Sequence, residues 1–404
     1  MNKIVIFGAG NIGRSFIAQL FSKVEYEIVF IDINPVIVDT LNIHRSYRIE
    51  IKDINPETIL VKNVRAVNSN DSERVIQEIA NANLVSTSVG PKLVYHLYED
   101  IANGILLRKK SGNKNPFNII ICENLRNAKE FFYDGIKKHL GEDFPDDWMP
   151  GLVETSIGKM VPIMKEEDKK DDPLLVYAEA YNTLILDKNG FKGNLPVVPG
   201  LDMKENMKAY VDRKLFIHNL GHSAAAYLGY LTNPNLNYIW EVMEIPEIEK
   251  SAKAAMLESG QALIKEYPDE FNEKNQNDHI NDLLQRFKNR FLNDTIYRVG
   301  RDIHRKLEPE DRLIGSLRMD IKHKINYENT LKLIAAAMLF RAKDENGDLY
   351  FRDEQFVNSV YSKGIENVLI AVCRLQSNED KEIIEDIIYH HKKLNNNPFY
   401  YTNS

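Results

Sequence analysis

At 404 residues, with 43% apolar and 27% charged side chains, 20 Gly and 15 Pro, the chain can build two globular domains and is too poor in breakers for a fibrous or linker-rich protein. Its formal net charge of −7, from 52 Lys plus Arg against 59 Asp plus Glu, opposes binding to nucleic acid but leaves room for a local cation cluster around one small anion. Two cysteines, Cys122 and Cys373, exclude a disulfide framework and a cysteine zinc site, and no apolar run approaches the roughly 18 residues of a membrane span.

The chain opens on a strand-like run, residues 3–7, with no basic and apolar leader ahead of it, so a cytoplasmic setting is expected. Runs rich in Ile and Val at 3–7, 27–31, 84–89 and 118–122 alternate with helical patterns, the sequence form of a parallel sheet with helices on both faces. Between the second and third, residues 46–51 and 58–67 read as a pair of shorter strands with Asn55 and Pro56 in the turn. Residues 174–186 read as a further strand, and the Gly and Pro signals of 189–200 then mark a boundary. Beyond it the apolar period becomes helical, as in 251–266, 281–291 and 329–342. The expected architecture is α/β: a doubly wound sheet domain over residues 1–195, then a mainly α-helical domain over 196–404. The polar tail 395–404 reads as frayed or loosely docked.

Directly after the first strand, FGAGNIGR places Gly8, Gly10 and Gly13 in G-x-G-x-x-G before a helical run. The first glycine allows a tight turn, the second lets backbone approach a diphosphate, and the third lets helix and strand pack closely. Phe7, Gly8, Ala9, Gly10, Asn11, Ile12 and Gly13 are therefore candidate cofactor contacts, the helix N-terminus facing the anion. Asp32 stands nineteen residues past Gly13, where a carboxylate accepts from both hydroxyls of the adenosine ribose. Its charge disfavours a 2′-phosphate, so the expected cofactor is NAD in a Rossmann-type domain. As a plain structural device Asp32 would cap the helix near Pro35, a task Asn34 could equally perform. NANLVSTSVGP ends a strand at the carboxyl edge of the sheet, which adds Val89 and Gly90 as cofactor contacts and Glu123 and Asn124 as neighbours.

In the second half RKLFIHNLGH sets Lys214, Asn219 and His222 at K-x4-N-x2-H. At 100° per residue Asn219 lies about 140° and His222 about 80° from Lys214, within one broad helix face. Oxidising a secondary alcohol needs a base for the hydroxyl proton, donors for the alkoxide and a hydride acceptor. Lys214 can be that base if burial and a cationic nicotinamide bring its pKa to about 7–8. Asn219 would donate to the oxyanion, and His222 would hold a substrate hydroxyl or share the oxyanion. The same residue types at these spacings also arise on solvated helix faces. Two Y-x3-K pairs, Tyr133 with Lys137 and Tyr210 with Lys214, and the His218/His222 pair lack the context of a short-chain dehydrogenase or of a metal site.

With FGAGNIGR, STSVGP, NIIICENLRNA, GFKGNLPVVPGL, DRKLFIHNLGHSAAAYLG, VGRDIHRKLEPEDRL and IAAAMLFR, the chain resembles the polyol-specific long-chain dehydrogenases along most of its length, and within them the mannitol-1-phosphate 5-dehydrogenases. The resemblance implies a metal-free reaction with Lys214 as base and Asn219 and His222 polarising the reacting oxygen. It implies Asn124 as a substrate contact and a small sugar phosphate as partner, acted on by a monomer or weak homodimer with no nucleic-acid or membrane partner. The phosphate is assigned to Arg305 and Lys306 first, then Arg301 or Arg312. Gly158 and Lys159 depart from the acid and arginine familiar in phosphate-specific members. The alternatives are a fructuronate or tagaturonate reductase, a mannitol 2-dehydrogenase, or a non-catalytic dinucleotide sensor.

Overall fold

The computed structural model describes residues 2–402, and the chain divides into two compact units, one up to Met207 and one from Lys208. The first holds β1 (Lys3–Phe7), β2 (Glu27–Asp32), β3 (Ser46–Ile51), β4 (Glu57–Lys62), β5 (Val64–Asn68), β6 (Leu84–Thr87), β7 (Asn118–Ile121), β8 (Gly151–Ser156), β9 (Val176–Ala178), β10 (Leu184–Asp187) and β11 (Leu201–Lys204). Eight of them form one sheet in the order β11-β10-β8-β7-β6-β1-β2-β5. It is parallel from β8 to β5, with β10 antiparallel to β8 and β11 parallel to β10.

Alternation along the central strands explains why the runs are apolar throughout. Ile4 and Ile6 join Phe16, Phe21 and Phe30 on one face, while Val5 and Phe7 join Val75, Ile101 and Ile105 on the other. Both faces are thus buried under helices, the expected doubly wound α/β arrangement.

Four expectations change. The stretch 58–67 is two strands, because Asn63 takes a left-handed turn at φ 59°. β4 stays in a three-stranded side sheet, order β4-β3-β9, while β5 joins the main sheet beside β2. The stretch 174–186 likewise splits, β9 going to the side sheet and β10 to the main one. β8, which the sequence reading passed over, extends the parallel sheet. The Gly- and Pro-rich segment placed at the boundary stays in the first unit, since β11 pairs with β10 along 201–204.

The second unit is helical. Met207–Arg213 runs without interruption through a π-helical turn, Lys214–Asn219, into Leu220–Thr232. Longer helices at Pro246–Glu266, Glu273–Phe287, Ile314–His323, Glu328–Leu339 and Lys381–Asn396 complete its body. Pro246 opens its helix where no amide is needed, and Asn272 caps the next by accepting from Asn275 N at 3.0 Å. The tail is docked: helix continues to Asn396, and Tyr401, 2% exposed, shares a 2.5 Å hydrogen bond with the Thr232 hydroxyl. Only residues 403–404 of that tail lie outside the described ones. Among the described residues no helix is long and apolar enough to cross a membrane.

Candidate functional site

The glycine loop is shaped by contacts within the protein at two of its three glycines. A Cβ on Gly8, whose φ is 95°, would lie 2.7 Å from the Ser88 carbonyl oxygen, and one on Gly13 would lie 2.0 Å from that of Gly8. Gly10 differs: a Cβ there meets no protein atom within 4 Å, and its φ is ordinary. Nothing in the fold requires glycine at position 10, and the space beside it stays open before the helix at residues 11–22, where the glycine pattern expects a diphosphate. The first amides of that helix have no intrahelical acceptor and suit an anion.

Asp32 closes this cradle. Its Oδ2 accepts from Ala9 N at 2.7 Å and its Oδ1 from Asn34 N at 2.9 Å, while Asn34 caps Pro35–His44 by accepting from Val36 N at 3.0 Å. The capping role thus falls to Asn34, and the Asp32 carboxylate, ending β2, keeps acceptor capacity for ribose hydroxyls. Arg14, 4% exposed, braces the loop from below: Nε donates to Ala9 O at 2.6 Å and Nη1 to Leu174 O at 2.5 Å. Burial lowers its pKa from the ordinary guanidinium value.

The β6 end is tied to the same loop. Ser88 Oγ donates to Phe7 O at 3.1 Å, and the buried Glu123 carboxylate accepts from Val89 N at 2.9 Å and Gly90 N at 2.8 Å. Burial raises the Glu123 pKa, and those two amides pull it back. The amides of Val89 and Gly90 are therefore turned onto Glu123, so the cofactor contact expected of these residues would fall to their other atoms. Asn124 follows Glu123 and is exposed.

In the second unit the π-helical turn changes the geometry read from an ideal α-helix. With i to i+5 bonding, the five-residue step from Lys214 to Asn219 closes nearly one turn, so Asn219 falls closer to the line of Lys214 than 140°. Lys214 is half-buried; burial, then the charge of Arg312, lowers its ammonium to about 8. Arg312 Nη1 lies 3.5 Å from Asn219 O and 3.4 Å from Ser223 Oγ. The His222 ring stacks on Phe287 at 4.8 Å and 8°. Its Nε2 stands 3.3 Å from Oδ2 of Asp294, a buried carboxylate also held by Arg298. Burial holds His222 neutral, reinforced by Arg298, Lys306, Arg312 and Arg286. A carboxylate only accepts, so Nε2 carries the proton and Nδ1 is left as an acceptor.

The cations expected to hold a phosphate are engaged within the protein. Arg305 donates from Nε to Asp302 at 2.7 Å and from Nη1 to Asp311 at 2.6 Å. Lys306, 3% exposed, donates to Val299 O, and burial pushes its pKa well down. A phosphate would have to displace two carboxylates from Arg305 and could not reach a buried Lys306 without rearrangement. Arg301 lies over the Tyr297 and Tyr350 rings.

Family models cover nearly the whole chain: the mannitol dehydrogenase Rossmann domain matches residues 2–200 and the mannitol dehydrogenase C-terminal domain residues 206–397. The chain belongs to the mannitol dehydrogenase family. Its fold is similar to that of a D-sorbitol dehydrogenase solved substrate-free, with a TM-score of 0.82 at 16% identity over 99% of this chain and 94% of that one. It is also similar to Pseudomonas fluorescens mannitol 2-dehydrogenase in ternary complex with NAD and D-mannitol, with a TM-score of 0.73 at 17% identity over 99% and 93%. This mannitol dehydrogenase family member is accordingly an oxidoreductase with a Rossmann domain.

Sequence reasoning missed Asp294, 72 residues beyond His222, and Arg14, whose role is visible only once Leu174 is beside it. Within the family chain the Y-x3-K pair Tyr133 and Lys137 is a surface clamp, both side chains bonding Asp146. His218 is buried against Phe287, and burial drives its pKa well down. Among the described residues no group of three or more His, Cys, Asp or Glu side chains converges.

Proposed function

We propose that this enzyme interconverts D-mannitol 1-phosphate and D-fructose 6-phosphate with NAD, using Lys214 as general base and no metal. The observation that carries the reading is one continuous helical run that bears both Lys214, whose ammonium burial lowers to about 8, and His222, which burial holds neutral. At neutral to mildly alkaline pH a useful fraction of Lys214 is free amine and takes the substrate hydroxyl proton. The Asn219 amide donates to the developing alkoxide, and His222, an acceptor at Nδ1, takes a hydrogen bond from a neighbouring substrate hydroxyl. When bound, the cofactor supplies the hydride acceptor. Gly10 and the helix start would receive its diphosphate and Asp32 its ribose hydroxyls, which favours NAD over NADP.

The phosphate reading draws on Arg312, whose charge, after burial, lowers Lys214 and is among those that lower His222. A guanidinium there suits an anionic substrate, its Nη1 standing 3.5 Å from the Asn219 carbonyl oxygen. A second reading, a dehydrogenase of free polyols, is favoured by the neighbours of similar fold, which are a D-sorbitol and a mannitol 2-dehydrogenase. We take the enzyme to work in the cytoplasm as a monomer or weak homodimer. The deciding assay follows NADH consumption with fructose 6-phosphate, fructose, fructuronate and tagaturonate. At least tenfold higher kcat/KM with the phosphorylated ketose is expected. Preference for fructose or a hexuronate replaces it with that substrate, and cofactor binding without turnover on any of them leaves a sensor.

A further inference from the structure

A cavity of about 680 Å³ opens in the second unit, lined by Asn237, Tyr238, Thr295, Tyr297, Tyr230 and Arg341 among others. Three phenol rings offer flat faces for C–H bonds, and the phenol hydroxyls and the Asn237 amide offer partners for hydroxyl groups, as do the Thr295 hydroxyl, which accepts from Arg298 N and keeps its proton, and the Arg341 nitrogens other than Nη1, which is held by Met338 O and Phe340 O. The remaining charged lining, Lys343 with Asp344 and Glu345, brings the formal charge to balance with Arg341, which favours an uncharged ligand. Pro234, Leu236, Ile296 and Ala342 complete the lining, and walls in which polar residues outnumber these suit a polyhydroxy compound.

The walls also connect to His222. Tyr230 stands on the helix Leu220–Thr232, about two turns beyond His222. Thr295 to Tyr297 directly follow Asp294, the residue paired with His222. A two-stranded bridge fixes this segment: Tyr238 pairs with Thr295, Ile239 N donates to Asp294 O at 2.9 Å, and Ile296 N donates to Asn237 O at 2.8 Å. The cavity therefore spans the helix that carries His222 and the segment that carries Asp294. Between them the His222 Nε2 to Asp294 Oδ2 distance of 3.3 Å is longer than the usual 2.7–3.2 Å, so the pair has room to tighten.

We propose that this cavity binds a neutral sugar or sugar alcohol, and that a ligand bonded to both walls draws them together and raises turnover through the Asp294–His222 pair. The coupling rests on the role given to His222 above; the binding does not. Calorimetry with D-mannitol and with trehalose, which has no carbonyl to reduce, tests the site on the full chain. Affinity should fall at least tenfold in Tyr297→Ala and in Tyr238→Ala and stay unchanged in Lys214→Ala. The reverse pattern, or no binding by either probe, overturns the site. This arm needs no turnover, so it stands apart from the identity of the substrate. For the coupling, either probe should raise kcat severalfold at a saturating concentration of whichever ketose the enzyme reduces. The rise should vanish in Tyr297→Ala while its basal kcat stays within about twofold of wild type. An effect on KM alone, or one that survives the substitution, overturns it.

Discussion

Each unit carries a π-helical turn at its candidate site, Gly13–Ile17 in the first and Lys214–Asn219 in the second, yet the two are stabilised in opposite ways. Around the first, one buried cation, Arg14, is satisfied by backbone carbonyls, and the recognition surface is main chain. Around the second, ionisable side chains crowd together: after burial, Arg312 lowers Lys214, and Arg298, Lys306 and Arg312 lower His222, whose Nε2 faces Asp294. Binding a diphosphate needs shape and backbone dipoles, whereas moving a proton needs a group poised between charge states.

The largest break in that comparison is Lys214→Ala, which should lower kcat by roughly 10²–10⁴ while NADH affinity, measured by fluorescence titration, stays within error. Equal loss of both would mean that the lysine supports the fold. Next, Gly13→Ala forces a Cβ to 2.0 Å from a backbone oxygen that has no room to yield, so cofactor affinity should fall roughly 100-fold, with stability falling too. Gly10→Ala sharpens the contrast: its Cβ enters open space, so unfolding free energy should move by no more than about 0.5 kcal/mol while cofactor affinity drops roughly tenfold.

Acidity offers a subtler probe. With Lys214 near 8, kcat/KM for alcohol oxidation should climb with pH and level off above about 8, and ketone reduction should decline over the same interval. A flat profile from pH 6 to 9 would remove the lysine from proton transfer. The smallest effect belongs to Asp320, fully buried near Glu258, whose carboxyl is raised to about 8. The unfolded carboxyl titrates near 3.9, so the folded chain holds a proton that the unfolded chain has lost, and stability falls as pH rises from about 4 to 8. Asp320→Asn should erase that slope and raise Tm at pH 9 relative to wild type, with little gain at pH 4. Parallel curves for mutant and wild type in calorimetric unfolding would refute it.

What could be read in advance followed how local each feature is. The glycine spacing, the acid at Asp32 and the K-x4-N-x2-H motif each lie within a short stretch, and their order already implies a strand, a turn and helices. The i to i+5 bonding at Lys214 left no trace, because it depends on how that helix packs rather than on residue type. Nor could the chain announce that Asp294 would meet His222, that Glu123 would take the Val89 and Gly90 amides, or that Arg305 would be claimed by Asp302 and Asp311. Each needs two distant segments brought together. The break at Asn63 escaped notice since a single left-handed residue inside an apolar run looks like continued strand.

The bracing of loop 8–13 by Arg14, Asp32 and Ser88 carries one consequence for the ligand it receives. Within the protein alone Ala9 N donates to Asp32, Ala9 O accepts from Arg14, and the one Ser88 hydroxyl proton is shared between Phe7 O and Gly8 O. The backbone freedom that a floppy loop would surrender on docking is thus already reduced at folding, so a diphosphate taken up here would meet a preformed template. Affinity for such a ligand would then reflect the complementarity of that template, little diminished by any ordering of the loop around its guest.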